Sequence, residues 1–246
     1  MAALWRLDPF TAEIVKDLGF QNFETLWQED VYREIAQRTV IIAALVTLAD
    51  ALLAFPIAFY MAKIARPRVR AIMLVMVLMP LWSSYLVKVY AWRTILAEDG
   101  ILNWALEPAG LKGPGFGNVA TWLVFSYLWL PYMIIPVYAG LERIPDSLLD
   151  ASGDLGGKPW ITLRRVVLPL ALPALVAGSI FTFSLTLGDY ITPGLVSSTQ
   201  FIGNVVYNNV GVANNLPLAA AFATVPVVIM IAYLLIARRL GAFDSL

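Results

Sequence analysis

Asp150-Ala151-Ser152-Gly153-Asp154-Leu155-Gly156-Gly157 is a short polar, glycine-rich stretch in a chain made mostly of apolar runs. Arg143 stands before it, Lys158, Arg164 and Arg165 stand after it, and Leu168-Pro169 follows at the start of another apolar run. Such a segment can cradle phosphates with its backbone, or offer a turn of helix for another protein to grip. The phosphate reading needs G-x-x-x-x-G-K-[ST] after a strand, so that backbone amides wrap the anion and a hydroxyl holds Mg²⁺. Ser152–Pro159 has Ser at the first glycine position and Pro at the hydroxyl position. The preceding sequence does not read as a strand. Gripping by a partner is the better reading.

The remaining chemical inventory is narrow. Cysteine and histidine are both absent, which removes disulfides, thiol catalysis, zinc hydrolase sites and Ser-His-Asp triads. No metal ligand set is predicted. Asp50 lies in the middle of an apolar run, where an ionisable group costs about 3 kcal/mol unless it faces a cavity or a partner. It suits a pathway carboxylate for a cation, or a hydrogen bond between helices. Asp189 borders another run. Trp82, Tyr85 and Trp92 suit stacking on an amine or an aromatic belt at a membrane surface.

These groups must be held by membrane-spanning elements. Of the 246 residues, 60% are hydrophobic and only 14% charged, and the 17 basic and 17 acidic residues balance. Soluble domains carry about 25% charged residues, so the composition points to a bilayer solvent, with no charge excess suited to nucleic acid. A span needs about 20 apolar residues. Five windows qualify: Ile35–Met61, Val69–Ala91, Val119–Ala139, Val166–Leu187 and Leu216–Ala237. Each must be helical to satisfy its backbone in hydrocarbon, and internal prolines are tolerated there. The predicted fold class is an all-α integral membrane protein in contact with lipid. Ala171, Ala174, Ala177 and Gly178 offer a small-residue packing face.

Basic residues set the orientation. Lys63, Arg66, Arg68 and Arg70, then Arg143, Lys158, Arg164 and Arg165, then Arg238 and Arg239 all fall on one side of a five-span chain. That side should be the cytoplasm, so the polar stretch and the C-terminus are expected there. Residues 1–34, rich in Asp and Glu, are then an extracellular N-terminal segment, with residues 35–240 as the transmembrane domain. Phe23, Leu26, Trp27, Val31 and Ile35 recur at helical spacing and predict an amphipathic helix along the outer interface.

The stretch resembles the EAA loop of ABC-transporter permeases, written E-A-A, a glycine three residues on, then I-x-L-P. Asp150, Ala151 and Ser152 occupy the first three positions, Gly156 the glycine, and Val166-Val167-Leu168-Pro169 the closing motif, within a coupling loop at 146–169. Leu187-Gly188-Asp189-Tyr190-Ile191-Thr192-Pro193 is similar to the G-D-Y/F-x-T-P stretch of polyamine permeases, and Ile202-Gly203-Asn204 to the segment after it. Pro80-Leu81-Trp82 and the Tyr90-Ala91-Trp92 region also resemble this family. The chain thus resembles a permease of a binding-protein-dependent ABC importer, most similar to the spermidine/putrescine subgroup.

The resemblance implies an ABC type I importer permease fold in the inner membrane. It implies partner ABC ATPase subunits, a second permease subunit and an extracytoplasmic solute-binding protein, with ATP and Mg²⁺ held by the ATPase. The chain itself would be a transport subunit, without catalytic residues. A helix over Ser147–Asp154, capped by Asp146 or Ser147, would enter the ATPase, and Leu168-Pro169 would start the next span. Asp50, Trp82, Tyr85, Asp189 and Tyr190 would border the substrate pathway. Ferric iron or phosphonate are other substrates of the same class, and an ion-coupled secondary transporter is the alternative outside it. The family normally has six spans, and Leu7-Asp8-Pro9-Phe10-Thr11 resembles the segment after its first helix, so one helix is expected to be missing.

Overall fold

The computed structural model describes residues 1–8 and 10–241; Pro9 of the Leu7–Thr11 stretch lies outside the described residues. The chain divides into two compact units. The first comprises Met1–Leu45, Leu86–Phe125 and Ser184–Ala232, and the second Val46–Tyr85, Ser126–Phe183 and Tyr233–Leu246.

The first unit opens with a small antiparallel ribbon, β1 (Arg6–Leu7) with β2 (Ile14–Val15), a departure from a purely helical chain. Asp8 Oδ1 accepts hydrogen bonds from Phe10 N and Thr11 N, and these backbone donors hold its carboxyl below the ordinary carboxylate value. Helices α1 (Gln21–Gln28) and α2 (Asp30–Phe59) follow. The predicted amphipathic helix through Ile35 is therefore divided, because Glu29 takes an extended backbone with ψ 114°. Leu26 and Ile35 are buried together with Ile202, Val205 and Phe222. The apolar stripe thus enters the protein core, while Trp27 and Val31 face outward.

Helix α2 continues into a π-helical turn, Tyr60–Ile64. After it come α3 (Pro67–Trp82) and α4 (Tyr85–Leu96), with a break at Ser83-Ser84 where one continuous span, with a kink at its proline, was predicted. Ser83 is extended, and both its N–H and its hydroxyl bond back to the Pro80 carbonyl, which ends α3. Helix α5 (Ile101–Leu106) precedes the long α6 (Asn118–Glu142). Among the described residues, four helical segments have the length and apolarity of spans, and a fifth results if the broken pair counts as one.

In the second unit the core is made where Ala54, Ala58 and Met61 meet Met133, Val137 and Leu141 of α6, with Val167 and Ala171 completing it. The small side chains allow close helix approach, the main source of association in lipid. Helices α7 (Asp146–Asp154), α8 (Pro159–Thr162) and α9 (Leu168–Gly188) build the polar connection and the next span. A π turn over Leu163–Val167 joins α8 to α9. Helix is thus continuous from Pro159, and α9 itself opens at Leu168-Pro169 after the π turn. Pro159 suits a first helical position, where its missing N–H costs nothing. The π turn precedes Pro169, whose ring would otherwise clash with the Arg165 carbonyl in regular α-helix. Back in the first unit, α10 (Ile191–Val196) and α11 (Ile202–Gly211) lead to α12 (Leu216–Arg239), which ends in the second.

Candidate functional site

The polar stretch forms α7 and the turn after it. Pro145 precedes the helix and no side chain caps it, so the predicted Asp146 or Ser147 cap is absent. Asp146 instead bonds Lys63, with Nζ 2.7 Å from Oδ1. Lys63 Nζ also donates to the Ile144 carbonyl at 2.5 Å. The Lys63 side chain is 7% exposed against 81% for Asp146, so the ammonium is packed in while its partner faces outward. That hydrogen bond, with the Lys63 charge behind it, holds the Asp146 carboxyl below the ordinary value.

Arg70 secures the preceding segment. It donates to the Met61 and Ala62 carbonyls of the π turn, and to Glu142 Oε1 at 3.2 Å. Two basic residues read from sequence only as markers of sidedness thus tie the polar connection to the end of α2. The signal was their charge; Ile144 and Asp146 lie 81 and 83 positions from Lys63 and Glu142 lies 72 from Arg70, so no local spacing announces these contacts.

The far end of α7 is closed by a Schellman motif. Gly157 N bonds the Ser152 carbonyl and Gly156 N bonds the Gly153 carbonyl, each at 2.8 Å. Gly156 takes φ +77°, a left-handed conformation that explains glycine there. Ser152 turns inward, its Oγ 2.8 Å from Thr162 Oγ1, whereas Asp150 and Ala151 face outward. Two apolar residues missed by the sequence reading are set around this turn: Leu155 is 90% exposed and Trp160 69% exposed. The P-loop-like string is therefore a helix end, a turn and a helix start, with no strand before it.

The pathway candidates divide between the units. In the second, Asp50 is fully buried, and neither carboxylate oxygen has a hydrogen-bond partner among the described residues. Trp82 is strongly exposed at the end of α3, and Tyr85 stacks on Trp129 with ring centroids 6.0 Å apart. In the first, Asp189 Oδ1 accepts from Ile191 N at 2.8 Å and Thr192 N at 3.0 Å. Asp189 thus sets the start of α10. Tyr190, next to it, stacks on Tyr207 at 4.6 Å and 12°. Leu168 and Pro169 are exposed within the α8–α9 run, away from its start.

Relatives are consistent with this architecture. The chain is 46% identical to the inner membrane ABC transporter permease protein YdcU of Escherichia coli (strain K12) over 266 residues, covering 100% of this chain and 85% of the relative. It is 28% identical over 210 residues to the spermidine/putrescine transport system permease protein PotB of Haemophilus influenzae, covering 83% and 73% respectively. A bacterial alginate ABC transporter, solved with an alginate pentasaccharide-bound periplasmic protein, superposes with a TM-score of 0.77 at 17% identity. That match covers 91% of this chain and 83% of the other. The MetNI methionine ABC transporter in inward-facing form gives 0.66 at 18% identity, over 88% and 95%. The fold is that of ABC type I importer permeases. The match to the binding-protein-dependent transport system inner membrane component family runs over residues 35–243. The chain belongs to this family, as the multi-pass membrane permease subunit of an ABC importer, a transport component rather than an enzyme.

Proposed function

We propose that this permease imports polyamines and that α7 is its point of engagement with a separate ABC ATPase. The observation that carries the coupling half is the α7 turn itself, a helix closed at Gly156 that projects Leu155 outward. Such a knob on a polar surface suits insertion into a cleft of a partner. Lys63 then converts a pull on α7 into a pull on the end of α2, which Arg70 also grips at the Met61 and Ala62 carbonyls. ATP and Mg²⁺ belong to the ATPase, a second permease subunit completes the pathway, and a solute-binding protein delivers substrate from outside. The clustering of basic residues supports a cytoplasmic α7 and C-terminus.

The substrate half is supported by the spermidine/putrescine relatives at 28% identity and by Gly188-Asp189-Tyr190-Ile191-Thr192-Pro193. It is tested by uptake of labelled spermidine, putrescine and a neutral solute into proteoliposomes holding the complete transporter. ATP-dependent uptake of the amines alone is expected; uptake of none of them contradicts the assignment. Orientation is tested separately with single cysteines in this cysteine-free chain. Lys112→Cys and Val212→Cys should react with an impermeant reagent on intact cells, and Leu155→Cys should not.

A further inference from the structure

Beside the Tyr190–Tyr207 stack lies a recess of about 440 Å³ within the first unit, on the side assigned above to the exterior. Its size falls in the range of small-molecule sites. Tyr90 of α4 shares the lining with Tyr190 and Tyr207, and Gln200, Asn204 and Asn208 supply amides. None of the described residues that line it is charged. Arg38, which bonds the Gln200 carbonyl, is matched by Glu34 at 2.6 Å.

The chain builds this wall in steps. Asp189 starts α10 and so places Tyr190. Asn204 Nδ2 donates to the Tyr190 carbonyl at 2.7 Å, and Tyr207 follows three residues later on the same face of α11. Gly203 permits the contact: a Cβ there would sit 2.7 Å from the Asp189 carbonyl oxygen. The rings pair through one face each, and Tyr90, Tyr190 and Tyr207 keep 52%, 39% and 53% exposure.

We propose that this tyrosine recess is a receiving site for alkylammonium groups, held by cation–π contact and by uncharged oxygen acceptors. The proposal rests on the polyamine reading. Tyrosine faces attract ammonium ions by their quadrupole, and more strongly once water is excluded. Without a carboxylate in the lining the hold is moderate, which suits a site that passes its ligand onward. Asp189 is then a positioning residue that does not contact the amine.

The test is equilibrium binding of labelled spermidine to the purified complete transporter in nanodiscs without binding protein, alongside uptake. Tyr207→Leu and Tyr90→Leu should each weaken binding roughly tenfold, whereas Tyr207→Phe and Tyr90→Phe, which keep the ring, stay near wild type. Tetramethylammonium should compete for the wild-type site and neopentyl alcohol, an uncharged molecule of similar bulk, should not. Tyr90 lies outside the stack, so its variant keeps the test valid if Tyr207→Leu fails to assemble. Wild-type affinity in both leucine variants, in a transporter that does import spermidine, overturns the recess and leaves the polyamine reading intact. A wild type that imports no amine overturns both.

Discussion

Lys63 reaches Asp146 across 83 positions of sequence, its Nζ 2.7 Å from the carboxylate, and fastens the first residue of α7 to the π turn that ends α2. The ammonium is nearly enclosed, so its hydrogen bonds to Asp146 and to the Ile144 carbonyl are its compensation for leaving water.

Lys63→Met should therefore loosen α7 without unfolding the bundle. Charge-assisted hydrogen bonds contribute enough that amide exchange over 146–154 should quicken roughly tenfold. Substrate-stimulated ATP hydrolysis by the complete transporter should fall several-fold. Hydrogen–deuterium exchange identical to wild type would show that the contact does not hold the helix.

The same pair carries a pH signature. Asp146 is held below its ordinary value of 3.8, first by the Lys63 hydrogen bond and then by its charge. A carboxyl depressed in the folded state stabilises fully above the ordinary value, and the contribution fades as pH falls through the depressed one. Protection of α7 should thus be flat from neutral pH to about 5 and decline only in the region below about 4. Asp146→Asn should remove that decline. Loss of protection near pH 6 in the wild type would point to some other group.

Gly156 makes a backbone prediction rather than a size prediction. Nothing lies within 4 Å of a Cβ built there, but φ is +77°. A left-handed residue other than glycine costs about 1–2 kcal/mol, least for asparagine and most for β-branched residues. Gly156→Asn should keep most substrate-stimulated hydrolysis, and Gly156→Val should lose most of it at unchanged expression. Equal activity in the two variants would detach coupling from the turn.

Much of the scaffold could be read from sequence because bilayer spans leave a one-dimensional signal, long apolar windows with basic residues at one set of ends. The EAA-like spacing likewise located α7 and its glycine turn. The break at Ser83-Ser84 was hidden because proline is ordinary in membrane helices, so Pro80 read as a kink rather than an end. Leu168-Pro169 marked the opening of α9, but the helical turns from Pro159 that lead into it went unread, although a proline is a usable helix-start signal. The Lys63–Asp146 pair and the Tyr190–Tyr207 stack were not legible at all. Each depends on backbone approach between segments, and no local pattern specifies it.

The role of α7 rests on what touches Leu155, 90% exposed at its tip. A benzophenone amino acid placed at 155 in the purified complete transporter, irradiated and analysed by mass spectrometry, identifies that neighbour. The coupling role predicts cross-links to the ATPase polypeptide from 155, and none from the same probe at 212. Cross-links from 155 to lipid or to the solute-binding protein alone, with none to the ATPase, would contradict it.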